Sequence, residues 1–173
     1  MSLEVRIVST REKHLSSFHQ CLSQVARERH WLAFAEVPPL EAVHAFGRSL
    51  VARGAPHVVA ISNKKVVGWC DVIPNDQPGF EHSGRLSTGL LAPYRGQGYG
   101  KALVRKAVKQ AQKFGMWRIE LEVFGSNREA MVFFDGLGFQ IEGIKKRALK
   151  LDGELDDLVL MARILEPLDQ AVR

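Results

Sequence analysis

The segment of residues 95–101 constrains this chain more than any other. It has the sequence Arg-Gly-Gln-Gly-Tyr-Gly-Lys, with three glycines at alternate positions, and lies between an apolar strand-like stretch and a basic amphipathic helix pattern. Glycines allow a tight turn that presents consecutive backbone N–H groups at a helix N-terminus, an arrangement that binds phosphate oxygens. The segment predicts a phosphate-binding turn, with an ordinary tight strand-to-helix turn as the alternative.

Two common nucleotide loops do not fit this segment. A Walker loop needs Gly five residues before the Gly-Lys pair and Ser or Thr after it, but Arg95 and Ala102 occupy those positions. A dinucleotide fingerprint needs G-x-G-x-x-G, whereas Gly96, Gly98 and Gly100 are spaced G-x-G-x-G. The anion must be held by a different kind of loop.

Charge is concentrated around the same segment. The chain has 24 Lys and Arg against 19 Asp and Glu, yet between His82 and Ile119 there are eight basic residues and no acidic ones. The remainder holds 16 basic residues against 19 acidic ones, so one cationic segment is embedded in a slightly acidic protein. This asymmetry indicates an anionic partner.

Periodicity predicts seven strands and four helices in the order βααβββαβαββ, which indicates a mixed sheet with helices on its faces, of α/β (α+β) class. The predicted strands are Leu3–Val8, His57–Ile61, Lys65–Ile73, Leu86–Leu91, Arg118–Phe124, Gln140–Leu151 and Leu155–Leu165. The predicted helices cover residues 11–30, Leu40–Ala52, the stretch from the glycine segment to Phe114, and a short segment after Ser126. Asp152-Gly153 predicts a tight hairpin between the last two strands.

Several classes of protein are excluded. No linker or repeat divides residues 1–173, so we expect a single domain. Two cysteines, Cys21 and Cys70, form neither a disulfide scaffold nor a metal-type pair. Because we find no signal-like leader and no apolar run of about 20 residues, we expect a cytoplasmic protein without bound metal.

The glycine segment resembles the phosphate loop of the GCN5-related N-acetyltransferase (GNAT) superfamily, in which Arg95, Gly98 and Gly100 match the family positions. Further matches are Leu90-Leu91-Ala92-Pro93, Asn127-Arg-Glu-Ala130, Leu137-Gly138-Phe139 and Glu142-Gly143, in the family's order. The C-terminal half is similar to members acting on free amino acids. The resemblance implies a mixed, mostly antiparallel sheet of about seven strands with about four helices, and acetyl-CoA as cofactor.

The resemblance also implies a set of cofactor-binding residues. The pyrophosphate would lie on the backbone of the loop and the pantetheine along a strand edge, with Asn127 bonding to the cofactor. The implied residues are Gly89, Leu90, Leu91, Arg95, Gly96, Gln97, Gly98, Tyr99, Gly100, Lys101, Asn127 and Phe134. Leu91 matches the position whose N–H stabilises the oxyanion.

Amide formation also requires proton transfer. Glu122 matches the segment where ribosomal-protein N-terminal acetyltransferases carry their base; alternatively, it is a strand carboxylate paired with Arg118 or Lys145. His82 is the second candidate base, with a surface histidine as its alternative. Many members have a general-acid Tyr where this chain has Phe134, which has no proton to donate. We expect the thiolate to leave with help from solvent or from the proton removed from the amine.

The acceptor side is less specified by the sequence. Trp31, Phe34 and Glu36 are candidates to bind the amine, with a place in the apolar core as the alternative for both aromatic residues. Arg27, Arg29 and His30 could hold a substrate carboxylate. Asp157 is either a substrate contact or a structural hydrogen-bond acceptor.

Three functions follow from these patterns. The first is acetyl transfer to a small primary amine, an amino acid or an amino-acid-like compound, by direct attack on the thioester. The second is acetylation of a protein N-terminus or lysine. The third is a nucleic-acid-binding module, which the core-like apolar face of the basic helix and the lack of interleaved aromatic residues disfavour. The resemblance is compatible with a homodimer.

Overall fold

The computed structural model describes residues 4–30, 32 and 37–166. The strands are β1 (Arg6–Ser9), β2 (His57–Ser62), β3 (Lys65–Pro74), β4 (Ser83–Leu90), β5 (Arg118–Phe124), β6 (Gln140–Leu151) and β7 (Glu154–Ile164). The helices are α1 (Leu15–Arg27), α2 (Leu40–Ala52), α3 (Tyr99–Phe114) and α4 (Arg128–Asp135), with 3-10 turns at Glu12–His14 and Ala92–Tyr94. The element order is the one predicted from periodicity.

The strands form one sheet in the order β1-β2-β3-β4-β5-β7-β6. Within the described part of the chain, β4 and β5 pair in parallel, whereas the other neighbouring pairs are antiparallel. The helix α3 connects the two parallel strands, as a parallel crossover requires. The predicted mixed, mostly antiparallel sheet is confirmed.

Side chains alternate along the strands and so build a separate apolar core on each face of the sheet. On one face, α1 and α2 pack through Phe18, Leu22 and Val43 onto Val59 and Trp69. The other face carries the larger core, which includes residues of α3 and α4. Its members include Leu103, Val104, Ala107, Phe134, Phe139, Val72 and Ile119. None of the described helices combines the length and apolarity needed to cross a bilayer.

Several predicted boundaries differ from the structure by one to four residues. Helix α1 ends at Arg27 rather than residue 30, because Arg29 has a left-handed backbone with φ of 55° that stops the helix. Strand β4 begins at Ser83 rather than Leu86, since Ser83-Gly84-Arg85 has weak strand propensity but pairs with strands on both sides. Strand β1 begins at Arg6, and residues 1–3 lie outside the described part.

Candidate active site

The glycine segment forms the predicted turn into α3. Gly96 and Gly98 have φ of 72° and 86°, which only glycine adopts without strain, and Gly98 caps the helix. The first bond within the helix runs from the Ala102 N–H to the Gly98 carbonyl, at 3.1 Å. The N–H groups at 99–101 therefore have no acceptor inside the helix, and its first turn contains no acidic residue. This helix start suits a pyrophosphate.

A gap opens between the two parallel strands close to this loop. Strands β4 and β5 pair only from Ser83 to Arg85, opposite Arg118 to Glu120. Beyond that point β4 stays with β3 up to Leu90, while β5 stays with β7 up to Phe124. We call the space between residues 86–90 and 121–124 the strand opening. Backbone groups along its edges need hydrogen-bond partners, which the amides of a pantetheine chain can supply.

The structure corrects the predicted oxyanion donor. The N–H of Leu91 donates to the Val67 carbonyl at 2.8 Å, so it is already used within the sheet. Because hydrogen bonds alternate along an antiparallel pair, the N–H of the preceding residue, Leu90, points away from β3 and into the strand opening. The Leu90 N–H, and not the Leu91 N–H, is therefore the donor that faces the strand opening.

The other strand residue expected to contact the cofactor, Gly89, has a packing role. A Cβ built on Gly89 would lie 2.2 Å from Cη2 of Trp69, because the indole ring packs flat against this part of β4. The ring nitrogen of Trp69 donates weakly to Ser87, at 3.4 Å. Trp69 thus covers β4 on the α1 face beside the strand opening.

The Arg95 side chain contacts the end of α1 and the end of β4. Its guanidinium makes a bidentate ion pair with Glu28, at 2.7 and 2.8 Å, and its Nε donates to the Leu90 carbonyl at 2.8 Å. Glu28 immediately follows α1. This contact places the C-terminal end of α1 beside the end of β4.

Three comparisons with known proteins agree with this geometry. The model of the acetyltransferase (GNAT) family matches residues 22–139. The L-amino acid N-acetyltransferase AaaT of Escherichia coli is 29% identical over 112 residues, which cover 64% of this chain and 69% of that protein. The chain belongs to the GNAT acetyltransferase family.

Solved GNAT structures share the fold. A phosphinothricin acetyltransferase from Sinorhizobium meliloti in complex with acetyl-CoA has a TM-score of 0.86 at 20% identity and covers 98% of this chain and 95% of that chain. A ribosomal-protein-alanine N-acetyltransferase from Brucella melitensis has a TM-score of 0.86 at 23% identity, with 92% and 99% covered. This GNAT enzyme uses acetyl-CoA, and the free helix start and the strand opening fit that cofactor.

Glu122 lies on β5 beside the strand opening of this GNAT enzyme. Its carboxylate bonds to Arg85 at 2.5 Å and to Lys145 at 3.0 Å, and 23% of the side chain is exposed. Glu122 is therefore ion-paired with Lys145, one of its two expected partners, whereas Arg118 pairs with Glu120 and Glu142 instead. A carboxylate has about four lone-pair sites, so Glu122 can still accept a proton.

His82 lies far from the phosphate loop. It precedes the first residue of β4, and Leu91 lies nine residues further along the chain, which at about 3.3 Å per residue places the two about 30 Å apart. Its carbonyl accepts from the N–H groups of Trp117 and Arg118, and its side chain is exposed. This distance removes His82 from the candidate catalytic residues.

Asp157 stabilises an irregularity in β6. It accepts from the backbone N–H of Arg147 and from Nζ of Lys146, both at 2.8 Å, where the β6 register shifts. The hydrogen bond from Lys146 is the main reason that the pKa of Asp157 is lowered. These contacts favour the structural alternative for Asp157.

Asn127 and Phe134 lie on and beside α4. Asn127 caps the helix, its Oδ1 accepting from the Ala130 N–H at 3.0 Å; its bond to the cofactor remains a prediction. Phe134 is buried with its ring against those of Phe133 and Phe139, 5.1 and 5.6 Å between centroids. Phe133 instead faces the start of α3, since a Cβ on Gly100 would lie 3.5 Å from its ring.

A second cleft lies along the end of α1, and we call it the α1 cleft. It has a volume of about 630 Å³ and is lined by His19, Ser23, Arg27, Arg29, Val37, Pro38 and Pro39. Both arginines are among the candidates that the sequence indicates, whereas His19 and Ser23 are not, although they precede Arg27 at helical spacings of eight and four residues. Trp31, Phe34 and Glu36, the predicted acceptor residues, lie outside the described part of the chain.

The α1 cleft is joined to the β6–β7 hairpin. Arg29 forms a bidentate ion pair with Asp152 at the tip of that hairpin. Beside the tip, a second open cleft of about 550 Å³ is lined by three acidic residues and one arginine, namely Glu154, Asp156, Asp157 and Arg147, together with Gly153 and Leu155. The end of α1, the end of β4 and this hairpin therefore surround the same region.

Proposed function

We propose that this enzyme acetylates the primary amine of an amino acid or an amino-acid-like small molecule. The observation that carries the proposal is the α1 cleft, in which two arginines and none of the acidic residues described by the structure form part of the lining. Similarity to AaaT, whose name states L-amino acid N-acetylation, supports the same acceptor class.

Arg27 is the better placed of the two arginines to bind a carboxylate. Arg29 is already paired with Asp152, whereas no carboxylate of the described residues lies within ion-pair distance of Arg27. A guanidinium binds a carboxylate through two parallel hydrogen bonds. An amino acid carries its amine two bonds from its carboxylate, so a substrate held at Arg27 would keep its amine near the end of α1.

The contact between Glu28 and Arg95 brings that end of α1 to the mouth of the strand opening.

Acetyl-CoA supplies the acetyl group as a thioester. The Leu90 N–H is positioned to stabilise the oxygen that gains negative charge. Phe134 offers no proton to the leaving sulfur. A free thiol has a pKa of about 8.5, so the proton removed from the amine or a proton from solvent is sufficient.

We propose Glu122 as the group that accepts the amine proton. Glu122→Gln should lower kcat at least tenfold while leaving acetyl-CoA binding intact, because the amide keeps the shape but cannot take up a proton. Glu120→Gln is the matched control, since Glu120 lies on the same face of β5 and is also ion-paired. Equal losses in both variants would contradict the assignment, as would full activity of Glu122→Gln.

An acceptor panel tests the substrate class. Thiol release from acetyl-CoA should be measured with amino acids, with the same compounds lacking the carboxylate, with polyamines, with aminoglycosides and with N-terminal peptides. We expect amino acids to exceed their decarboxylated counterparts at least tenfold in kcat/KM. Preference for peptides or for amines without a carboxylate would overturn the proposal.

The variant Arg27→Gln tests whether Arg27 binds the substrate carboxylate. It should raise KM for the amino acid about tenfold, because a charge-assisted pair is lost, and leave KM for the decarboxylated amine nearly unchanged. Arg48→Gln, on the exposed side of α2, is the control and should change neither. A similar effect on both acceptors would show that Arg27 does not bind a carboxylate.

A further inference from the structure

The ion pair between Glu28 and Arg95 reaches the backbone of the strand opening. Arg95 bonds to the carbonyl of Leu90, and the N–H of the same peptide unit, which belongs to Leu91, bonds to Val67. This peptide is therefore fixed from both sides. It shares the Leu90 Cα with the preceding peptide, which carries the Leu90 N–H, so fixing it limits the rotation about the Leu90 backbone bonds that turns this N–H relative to the strand opening.

Glu28 occupies a position that its helix disfavours. It is the C-cap of α1, and the C-terminal end of a helix dipole repels a negative charge. The pair with Arg95 offsets this cost: both side chains are about one-third exposed, and bidentate pairs of this kind are the stronger ones. No requirement of α1 itself explains a carboxylate here.

Arg29, the residue after Glu28, is also in an unfavourable local state and also forms an ion pair with a distant residue. Arg29 has a left-handed backbone with φ of 55°, which costs a non-glycine residue free energy, and its side chain crosses to Asp152. Glu28 and Arg29 are thus neighbours that are each locally unfavourable, and the side chain of each forms an ion pair with a residue distant in sequence. Strain of this kind persists where surrounding contacts over-determine it, and it clusters at functional sites.

We infer that Glu28 is a positioning residue for acetyl transfer. Through Arg95 it fixes the Leu90–Leu91 peptide and thereby directs the Leu90 N–H into the strand opening. The inference rests on acetyl transfer by this enzyme and on the proposed place of the acetyl oxygen, but not on the identity of the acceptor.

Glu28→Gln tests the inference, with steady-state kinetics on the best amine of the panel and acceptor-free hydrolysis of acetyl-CoA. We expect kcat and the hydrolysis rate to fall about tenfold while KM for acetyl-CoA changes less than threefold. Arg95→Lys, which cannot bond to Glu28 and Leu90 in the same geometry, should lose as much, and the double variant no more than either single one. Asp76→Asn breaks a similar bidentate pair with Arg53 and should leave all rates unchanged.

The outcomes separate the alternatives. A rise in KM for acetyl-CoA with kcat unchanged would overturn the inference and assign the pair to cofactor binding. Unchanged kinetics, or losses that add in the double variant, would also overturn it. Hydrolysis is measured without an amine, so failure of the amino acid proposal leaves this test intact. Each variant is assayed well below its own Tm. If Glu28→Gln does not fold, the kinetics of Arg95→Lys alone test whether the ion pair positions the Leu90 N–H.

Discussion

At the scale of single residues, His57 and Asp71 are unusual because both are ionisable and nearly fully buried. They face each other across β2 and β3 beneath Phe18, with 3.7 Å between Nε2 and Oδ2, too long for a good hydrogen bond. Burial raises the pKa of Asp71 to about 8 and lowers the pKa of His57 to about 4. Both side chains are therefore neutral near pH 7.

This pair predicts a loss of stability on the alkaline side of neutrality. Between pH 6.5 and 8, folded Asp71 keeps a proton that the unfolded chain has released, so the free energy of unfolding falls as pH rises. Below pH 6.5, uptake of a proton by unfolded His57 opposes this trend. A shift of one pKa unit corresponds to about 1.4 kcal/mol, so the loss is up to about 2 kcal/mol over this window. Urea unfolding at pH 6.5 and 8 measures it.

Asp71→Asn should remove most of this slope, because the amide stays neutral at every pH. The variant should then be more stable than the natural protein at pH 8. Asp76→Asn, at an exposed carboxylate whose pKa is lowered by its bond with Arg53, is the control and should keep the slope. An unchanged slope in Asp71→Asn would refute the assignment.

At the scale of elements, the start of α3 is the part on which cofactor binding most depends. Gly98→Ala should raise KM for acetyl-CoA at least tenfold, because an alanine resists φ of 86° and the first helical turn must shift. The same strain should lower stability by about 1–2 kcal/mol. Steady-state kinetics and thermal unfolding measure the two effects.

Gly54→Ala is a matched control for this change. Gly54 follows α2 with φ of 67°, and a Cβ at either glycine would meet no atom within 4 Å. Both substitutions therefore introduce backbone strain without a clash, yet only Gly98 adjoins the phosphate loop. Equal KM values in the two variants would argue against binding of the cofactor at the start of α3.

The elements themselves were largely predictable from local patterns. Period-two alternation predicts β5 with the bounds that the structure has, and the Asp152-Gly153 turn predicts the β6–β7 hairpin. The start of β4 was missed because Ser83 and Gly84 become strand only through pairing with two neighbours. Local propensity cannot report such tertiary pairing.

At the scale of the whole molecule, the cationic segment divides into two groups. Arg85, Arg95 and Arg118 are paired with carboxylates, and Lys106 donates to the Ile7 carbonyl. Four exposed bases remain on α3, at positions 101, 105, 109 and 113, four residues apart. Within the cationic segment, the positive charge available to an anion thus forms one stripe that begins at the phosphate loop.

The active site was predictable only in part, because several of its features depend on contacts between residues far apart in the sequence. The glycine spacing indicates the loop without any structure. The strand opening depends on where β4 and β5 cease to pair, and the pair of Glu28 with Arg95 joins residues 67 positions apart. The use of the Leu91 N–H by Val67 likewise follows from register. None of these leaves a local trace in the sequence.

The strand opening also bears on how this protein avoids unwanted association. Unpaired strand edges tend to recruit other β-strands and so promote aggregation. Here the two edges face each other and converge where Arg85 meets Glu120, so the space between them is a slot closed at one end. Such a slot admits one extended chain but leaves no room for the sheet of a second protein to align along either edge.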